Sequence, residues 1–174
     1  MKATLAVLLL AASAFAQTNS TTQMAAPGCG AADVKFSVKT DKSQHPAAQV
    51  EAGKAMVYII EDDTEFESFP RPTTRVGLDG QWVAANHGNS YSYFSVDPGE
   101  HHLCASWQGT VIVGAGNTAA AAHFTAEAGK VYFFTVKNKW LREHGFTRVD
   151  LSPIDSDQGQ LLASKYPLST SRPK

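Results

Sequence analysis

The sequence predicts an all-β protein: an antiparallel β-sandwich of the immunoglobulin or prealbumin kind, closed by a short C-terminal helix. Three observations carry that expectation. Short runs of β-branched and aromatic residues recur along the chain, with turn signals between them at regular spacing. Asp79-Gly80 stands between two such runs, a strong hairpin signal because a type I′ turn needs positive φ at both central residues. No strongly amphipathic helical stretch separates the runs, which disfavours a parallel βαβ sheet.

Composition sets the outer limits. The chain of 174 residues has the length of one domain plus tails. Lys+Arg total 15 against 16 Asp+Glu, a net charge of −1, whereas nucleic-acid binders carry a basic excess. Past the N-terminus no apolar run is long enough to span a bilayer. Residues 1–16 read as a secretory signal peptide. Lys2 is the positive start, residues 5–12 the apolar core, and Ala14-Phe15-Ala16 the small-residue exit, so cleavage falls between Ala16 and Gln17. A periplasmic or secreted location is expected. The signal-adjacent cysteine of a lipoprotein is absent. Removing Lys2 takes the net charge from −1 to −2.

Residues 17–50 form a polar leader. Within it Val34-Lys35-Phe36-Ser37-Val38-Lys39 alternates as an edge strand would, and Asn19-Ser20-Thr21 matches a short glycosylation pattern. The β domain is expected over residues 51–151. Ala55-Met56-Val57-Tyr58-Ile59-Ile60 is its first apolar strand, and the Asp79-Gly80 hairpin follows. In residues 90–96, Tyr91, Tyr93 and Ser95 share one face, while Ser92, Phe94 and Val96 share the other. Asp97-Pro98-Gly99 is a turn. Next comes a strand with Leu103, Ala105 and Trp107 on one face. Residues 121–126 and 130–138 read as a pair around Glu127-Ala128-Gly129, and residues 147–151 as a last strand. Residues 152–174 hold the helix and a tail. Asp155 caps with Gln158 three residues on, Gly159 weakens the first turn, and Pro167 stops the helix. So short a helix must dock on the sheet, through Leu161, Leu162 or Tyr166.

The chemistry-bearing residues form few patterns. Cys29 and Cys104 are a lone pair, which an oxidising compartment favours as one disulfide; the alternative is a buried free Cys104. Val113-Gly114-Ala115-Gly116-Asn117-Thr118-Ala119 spells G-x-G-x-x-A. A dinucleotide site would also need a following helix and an acidic residue about twenty positions on, where Phe134 stands, so no cofactor is expected. Among the six histidines, His102 shares a strand face with Cys104, and His123 or His144 would be needed to complete a metal site. Glu61, Asp62, Asp63, Glu65 and Glu67 read as a solvated acidic loop, with Phe66 and Phe69 as exposed anchors for a protein contact. Trp82, Tyr91, Tyr93, Trp107 and Trp140 read as core or cross-strand packing before glycan or peptide stacking. No G-x-S-x-G elbow or metalloprotease helix motif is present.

The turn and strand residues also carry a resemblance. Gly53-Lys54-Ala55 leads into Val57-Tyr58; Leu78-Asp79-Gly80, Gly88, Ser90-Tyr91, Pro98-Gly99 and His101 follow, and Gly129-Lys130 precedes Tyr132-Phe133. Over residues 53–137 this resembles an exported bacterial family classed as a domain of unknown function, number twenty-eight forty-six. The resemblance implies a small envelope-associated β module and supplies no catalytic or binding residues. The chain is therefore expected to be an exported, non-enzymatic module that binds a protein or polysaccharide partner of the bacterial envelope. The alternative is a small metal-dependent or hydrolytic enzyme using His102, His123 or His144.

Overall fold

The computed structural model describes residues 29–43, 45–46, 48–67, 70–108, 115–141 and 146–174. The expected signal peptide with its Ala16/Gln17 cut, Asn19, Phe69, residues 111–114 of the Gly-rich motif and His144 lie outside the described residues.

Within them the strands in chain order are β1 (Phe36–Asp41), β2 (Ala55–Asp62), β3 (Thr73–Leu78), β4 (Gln81–His87), β5 (Ser90–Val96), β6 (Gly99–Trp107), β7 (Ala115–Asn117), β8 (Ala119–Ala126), β9 (Val131–Leu141) and β10 (Phe146–Ile154). Helix α1 (Ser156–Lys165) and strand β11 (Leu168–Pro173) follow. The domain is all-β with one short C-terminal helix. A seven-stranded sheet runs β1-β11-β5-β2-β9-β10-β7, and a four-stranded sheet runs β4-β3-β6-β8.

The smaller sheet is antiparallel throughout. The larger is mixed, with more parallel pairing than a mainly antiparallel sandwich has: β2–β9, β5–β11 and β7–β10 run parallel. Among the described residues no helix lies between β2 and β9. The chain leaves β2, builds strands of the other sheet, and returns at β9 in the same direction. That route also overrides the expected pairing of residues 121–126 with 130–138. β8 lies beside β6 and β9 beside β2, so Glu127-Ala128-Gly129 carries the chain from one sheet to the other. β9 holds Phe133, Phe134, Thr135 and Val136 buried in succession, which suits an interior strand covered on both faces.

Alternation assigns the faces. Ala55, Val57, Ile59, Val96, Phe134, Val136 and Val149 of the large sheet meet Val76, Ala84, Leu103, Ala105, Trp107 and Ala126 of the small one in a shared core. Met56, Tyr58, Ile60, Tyr91, Phe133 and Leu168 point the other way, and Leu162, Ala163 and Tyr166 pack over them with Ala48 and Val50. The Asp79-Gly80 hairpin is present, with φ of 51° and 81°. Asp79 holds it further: Oδ1 accepts the His102 N–H at 2.8 Å.

Asp155 caps α1, its carboxylate accepting the Gln158 N–H at 2.9 Å. Docking uses Leu162 and Tyr166, while Leu161 is 65% exposed. Gly159, which weakens the helix in isolation, is buried where a Cβ would overlap the Phe133 ring. Its missing side chain is what lets α1 lie close on β9. The residues after the helix, read as a tail from sequence, form β11 between β1 and β5.

Cys29 and Cys104 form a disulfide, with Cα atoms 5.4 Å apart. Residues 29–35 cross the outer face of the small sheet. Gly77 leaves room for the Cys29 backbone, Trp82 Nε1 donates to the Ala31 carbonyl at 2.8 Å, and Arg75 Nη1 donates to the Val34 carbonyl at 2.8 Å. The Arg75 guanidinium also stacks 4.2 Å from the Trp82 ring.

Two stability outcomes are expected. Gly159→Ala, which raises helix propensity by about 1 kcal/mol, destabilises this protein by about 1–3 kcal/mol because the methyl collides with Phe133; urea unfolding checks the sign. Reducing the disulfide, which closes a separation of 75 residues, lowers stability by about 4 kcal/mol. Paired urea curves with and without reductant measure it, and coincident curves would refute it.

Candidate functional site

A groove opens where α1 lies over the large sheet. It encloses about 170 Å³ and is lined by His45, Pro46, Tyr58, Tyr91, Phe133, Gln160, Ala163 and Ser164. Its floor is aromatic. The Tyr58 and Phe133 rings stack with centroids 4.9 Å apart, and Tyr91 stacks on Tyr58 at 6.0 Å. These three come from β2, β9 and β5, adjacent strands whose outward residues fall in register. Burial pushes the Tyr58 hydroxyl above its ordinary value, against a backbone hydrogen bond from Ala48, and burial likewise raises Tyr91. Both stay neutral phenols at physiological pH. The rim is polar and exposed: His45, Gln160 and Ser164. His45 Nδ1 lies 3.2 Å from the Ala163 carbonyl, which ties the loop to the helix. Among the described residues, no Asp, Glu, Lys or Arg lines the groove. An aromatic floor with a few convergent polar groups is the usual make-up of a small-ligand site. The sequence offers Tyr91 for stacking and gives Tyr58 and Phe133 only as strand residues of the resemblance; it does not join them to the rim, because helix and loop reach them only in the folded chain.

The histidines divide. His102 stands directly opposite His123 in the β6–β8 ladder, and both are exposed. Cys104, on the same face as His102, is taken by the disulfide. Among the described residues no group of three or more His, Cys, Asp or Glu is placed to hold a metal ion. His101 faces the other way and is structural. Its Nδ1 meets Asp79 Oδ2 at 2.7 Å, its Nε2 meets the Asp97 carbonyl at 2.7 Å, and its ring packs on Phe124.

Within the acidic run Glu65 and Glu67 are exposed as expected, while three other residues are not. Glu61 and Asp63 are fully buried, not solvated, and Phe66 is buried edge-on against Trp107 rather than exposed. β2 continues its inward alternation past Ile59, so Glu61 enters the inter-sheet space. Asn138 Nδ2 donates to Glu61 Oε1 at 2.8 Å and to Asp63 Oδ1 at 2.7 Å, and Thr74 Oγ1 donates to Glu61 Oε1 at 2.9 Å. Trp107 Nε1 holds Asn138 Oδ1 at 2.7 Å. Burial, then the Asp63 charge, push Glu61 well above the ordinary carboxyl value, outweighing those hydrogen bonds and the Arg71 charge. Burial raises Asp63 to about 6. Asp62 points outward and accepts the Tyr166 hydroxyl at 3.3 Å.

The described residues of the Gly-rich motif are strand: Ala115–Asn117 is β7, and β8 begins at Ala119. A phosphate-binding G-x-G-x-x-A needs a helix there. No family model matches the chain, and no curated protein matches its sequence.

The His101–Asp79 pair makes stability pH-dependent. Burial alone would lower His101, but the Asp79 and Asp97 contacts outweigh it and raise the imidazole above 6.5. Burial would likewise raise Asp79, yet the His102 N–H and His101 hold it below 3.8. The His101 contribution is therefore complete below its unfolded value and is lost as pH rises through the folded one; the Asp79 contribution is lost as pH falls through its depressed value. His101→Gln costs up to about 1 kcal/mol in mild acid and less in alkali, given the partial exposure of the pair. Wild-type and variant urea midpoints at about pH 5 and about pH 9 test this; an equal cost at both would contradict it.

Proposed function

We propose that this chain is an exported, non-enzymatic β-sandwich module, of the immunoglobulin or prealbumin kind, that binds a polysaccharide of the bacterial envelope. The observation that carries the reading is the groove between α1 and the large sheet. Its stacked Tyr58 and Phe133 rings offer an apolar floor, its His45, Gln160 and Ser164 rim offers hydrogen bonds, and its lining among the described residues carries no carboxylate, ammonium or guanidinium group. A neutral sugar ring has that make-up, one face of C–H groups and an edge of hydroxyls, and Tyr combines an apolar body with a polar tip in the same way. A charged peptide finds no counter-ion there. The two sheets sharing one core support the sandwich reading. The signal-like start of the sequence supports export, and the residues resembling family twenty-eight forty-six support an envelope setting.

A second reading, a metal-dependent or hydrolytic enzyme, draws on the direct pairing of His102 with His123. It requires a further ligand, and stoichiometric zinc or copper in the purified protein is its mark.

Binding is tested by calorimetric titration with neutral envelope glycan fragments. Ser164→Trp fills the groove from an exposed helix position and is expected to abolish binding while leaving the circular dichroism unchanged. Gln160→Ala weakens it up to about tenfold, the value of one hydrogen bond. Undiminished binding by Ser164→Trp would exclude the groove, and binding only to peptides would exclude the sugar.

A further inference from the structure

The outer face of the small sheet brings two histidines together. β6 alternates, so Leu103, Ala105 and Trp107 enter the core while Glu100, His102 and Cys104 stand on the outer face. β8 runs antiparallel beside it. The register sets His123 directly opposite His102, with Thr125 opposite Glu100 and Ala121 opposite Cys104. Residues directly opposite each other rise from the same side of a sheet, so the two imidazoles share one face. His102, His123 and Glu100 are all exposed.

Backbone hydrogen bonding sets how close they come. In an antiparallel ladder a residue turns its N–H and its C=O to the same neighbouring strand. The His102 N–H donates to Asp79 Oδ1 at 2.8 Å, and the His102 carbonyl accepts the Asp79 N–H at 2.9 Å. Both groups are spent toward the β3 side, so His102 and His123 form a non-hydrogen-bonded pair. Such pairs hold their Cα atoms only about 4.5 Å apart and their side chains closest together. Two imidazoles so spaced can each turn a ring nitrogen to one point about 2.0–2.1 Å away, an ordinary nitrogen–metal bond length. The surroundings suit a cation. Neither β6 nor β8 carries a Lys or Arg. Arg75 of β3 stands opposite Ser106, four residues along β6, with its guanidinium on Trp82. His101 points to the other face, where Asp79 and the Asp97 carbonyl take its ring. Glu100 adds a negative charge on the same face as the pair. The N-terminal strap runs from Cys104 past Arg75 to Gln108, away from His102, and leaves the pair open.

We propose that His102 and His123 form a two-imidazole site for a copper(II) ion on the outer face of the small sheet. Imidazole nitrogen suits copper, nickel and zinc, whereas calcium and magnesium take oxygen, and copper(II) leads the divalent series in affinity. Two neighbouring imidazoles with water in the remaining positions give the tetragonal nitrogen and oxygen shell that copper(II) favours. The site is independent of the groove, which lies beyond the large sheet. It uses the same two histidines as the enzyme reading but requires no turnover.

The test uses the full mature chain, produced without a histidine tag and stripped with a chelator. It is titrated with copper(II) by calorimetry, and the bound ion is followed by electron paramagnetic resonance. One saturable site with two nitrogen ligands in the spectrum is expected. Binding more than about tenfold weaker is expected in His102→Gln and in His123→Gln, since a ligand is worth at least as much as the groups that orient it. His87→Gln, on β4, leaves the affinity unchanged. Both ligand side chains are exposed, so the variants keep the circular dichroism of the wild type. Undiminished binding in both variants places the copper on other groups and overturns the proposal. Weakening in only one of them makes the other histidine a bystander and overturns it as well. Copper binding without hydrolytic turnover upholds the site and separates it from the enzyme reading.

Discussion

β2 is covered on both faces, and most of the molecule is arranged to achieve that. Its inward residues Ala55, Val57 and Ile59 need a second sheet, and its outward residues Met56, Tyr58 and Ile60 need a third layer. Each large side chain removed from water contributes roughly 1.5–3 kcal/mol. The four-stranded sheet supplies one cover, and α1 with residues 48–50 supplies the other. β5 and β9 flank β2 and share its two-sided burial at Tyr91, Phe133 and Phe134. The parallel β2–β9 pair follows from the chain leaving to build the cover before coming back to the strand it covers.

The same continuity of β2 explains the polar interior. Strand geometry points alternate side chains the same way for as long as the strand lasts. β2 runs on to Asp62, so Glu61 is carried into the core, and Asp63 follows it. Asn138, Thr74 and Asn86 stand at the matching ends of β9, β3 and β4, and the apolar core ends as a hydrogen-bonded polar plug. Asp62, between the two, faces outward toward Tyr166. One strand thus contributes Tyr58 to the aromatic floor of the groove from its outward face and Glu61 to the acidic plug from its inward one.

The N-terminal strap performs a different task. The outer face of the small sheet carries Arg75, Trp82 and Cys104, which residues 29–35 cover through a disulfide, the accepting carbonyls of Ala31, Ala32 and Val34, and the close approach at Gly77. The chain then crosses to the large sheet. Gln108 joins the crossing by accepting from the Phe36 N–H at 2.6 Å and donating to its carbonyl at 3.0 Å. The disulfide therefore ties the start of the described chain to the smaller sheet, while β1 and β11 tie it to the larger.

What was legible in the sequence is local. Alternation located the strands and divided Tyr91 from Phe94 and Leu103 from His102. Asp79-Gly80 specified its turn through positive φ, Asp155 its helix cap, and the lone cysteines their bond. Each of these depends on neighbours a few residues away, or on there being only one partner to choose. Partners distant in sequence were not legible. Residues 121–138 look like a hairpin because turn chemistry says that the chain reverses, not which sheet receives it. The acidic run looks solvated because composition records charge and not the reach of a strand. Gly159 looks like a flaw until Phe133 lies against it, and the groove exists only where three strands, a helix and a loop meet. Tertiary structure decided these features because burial belongs to the packed layers rather than to any segment of the chain.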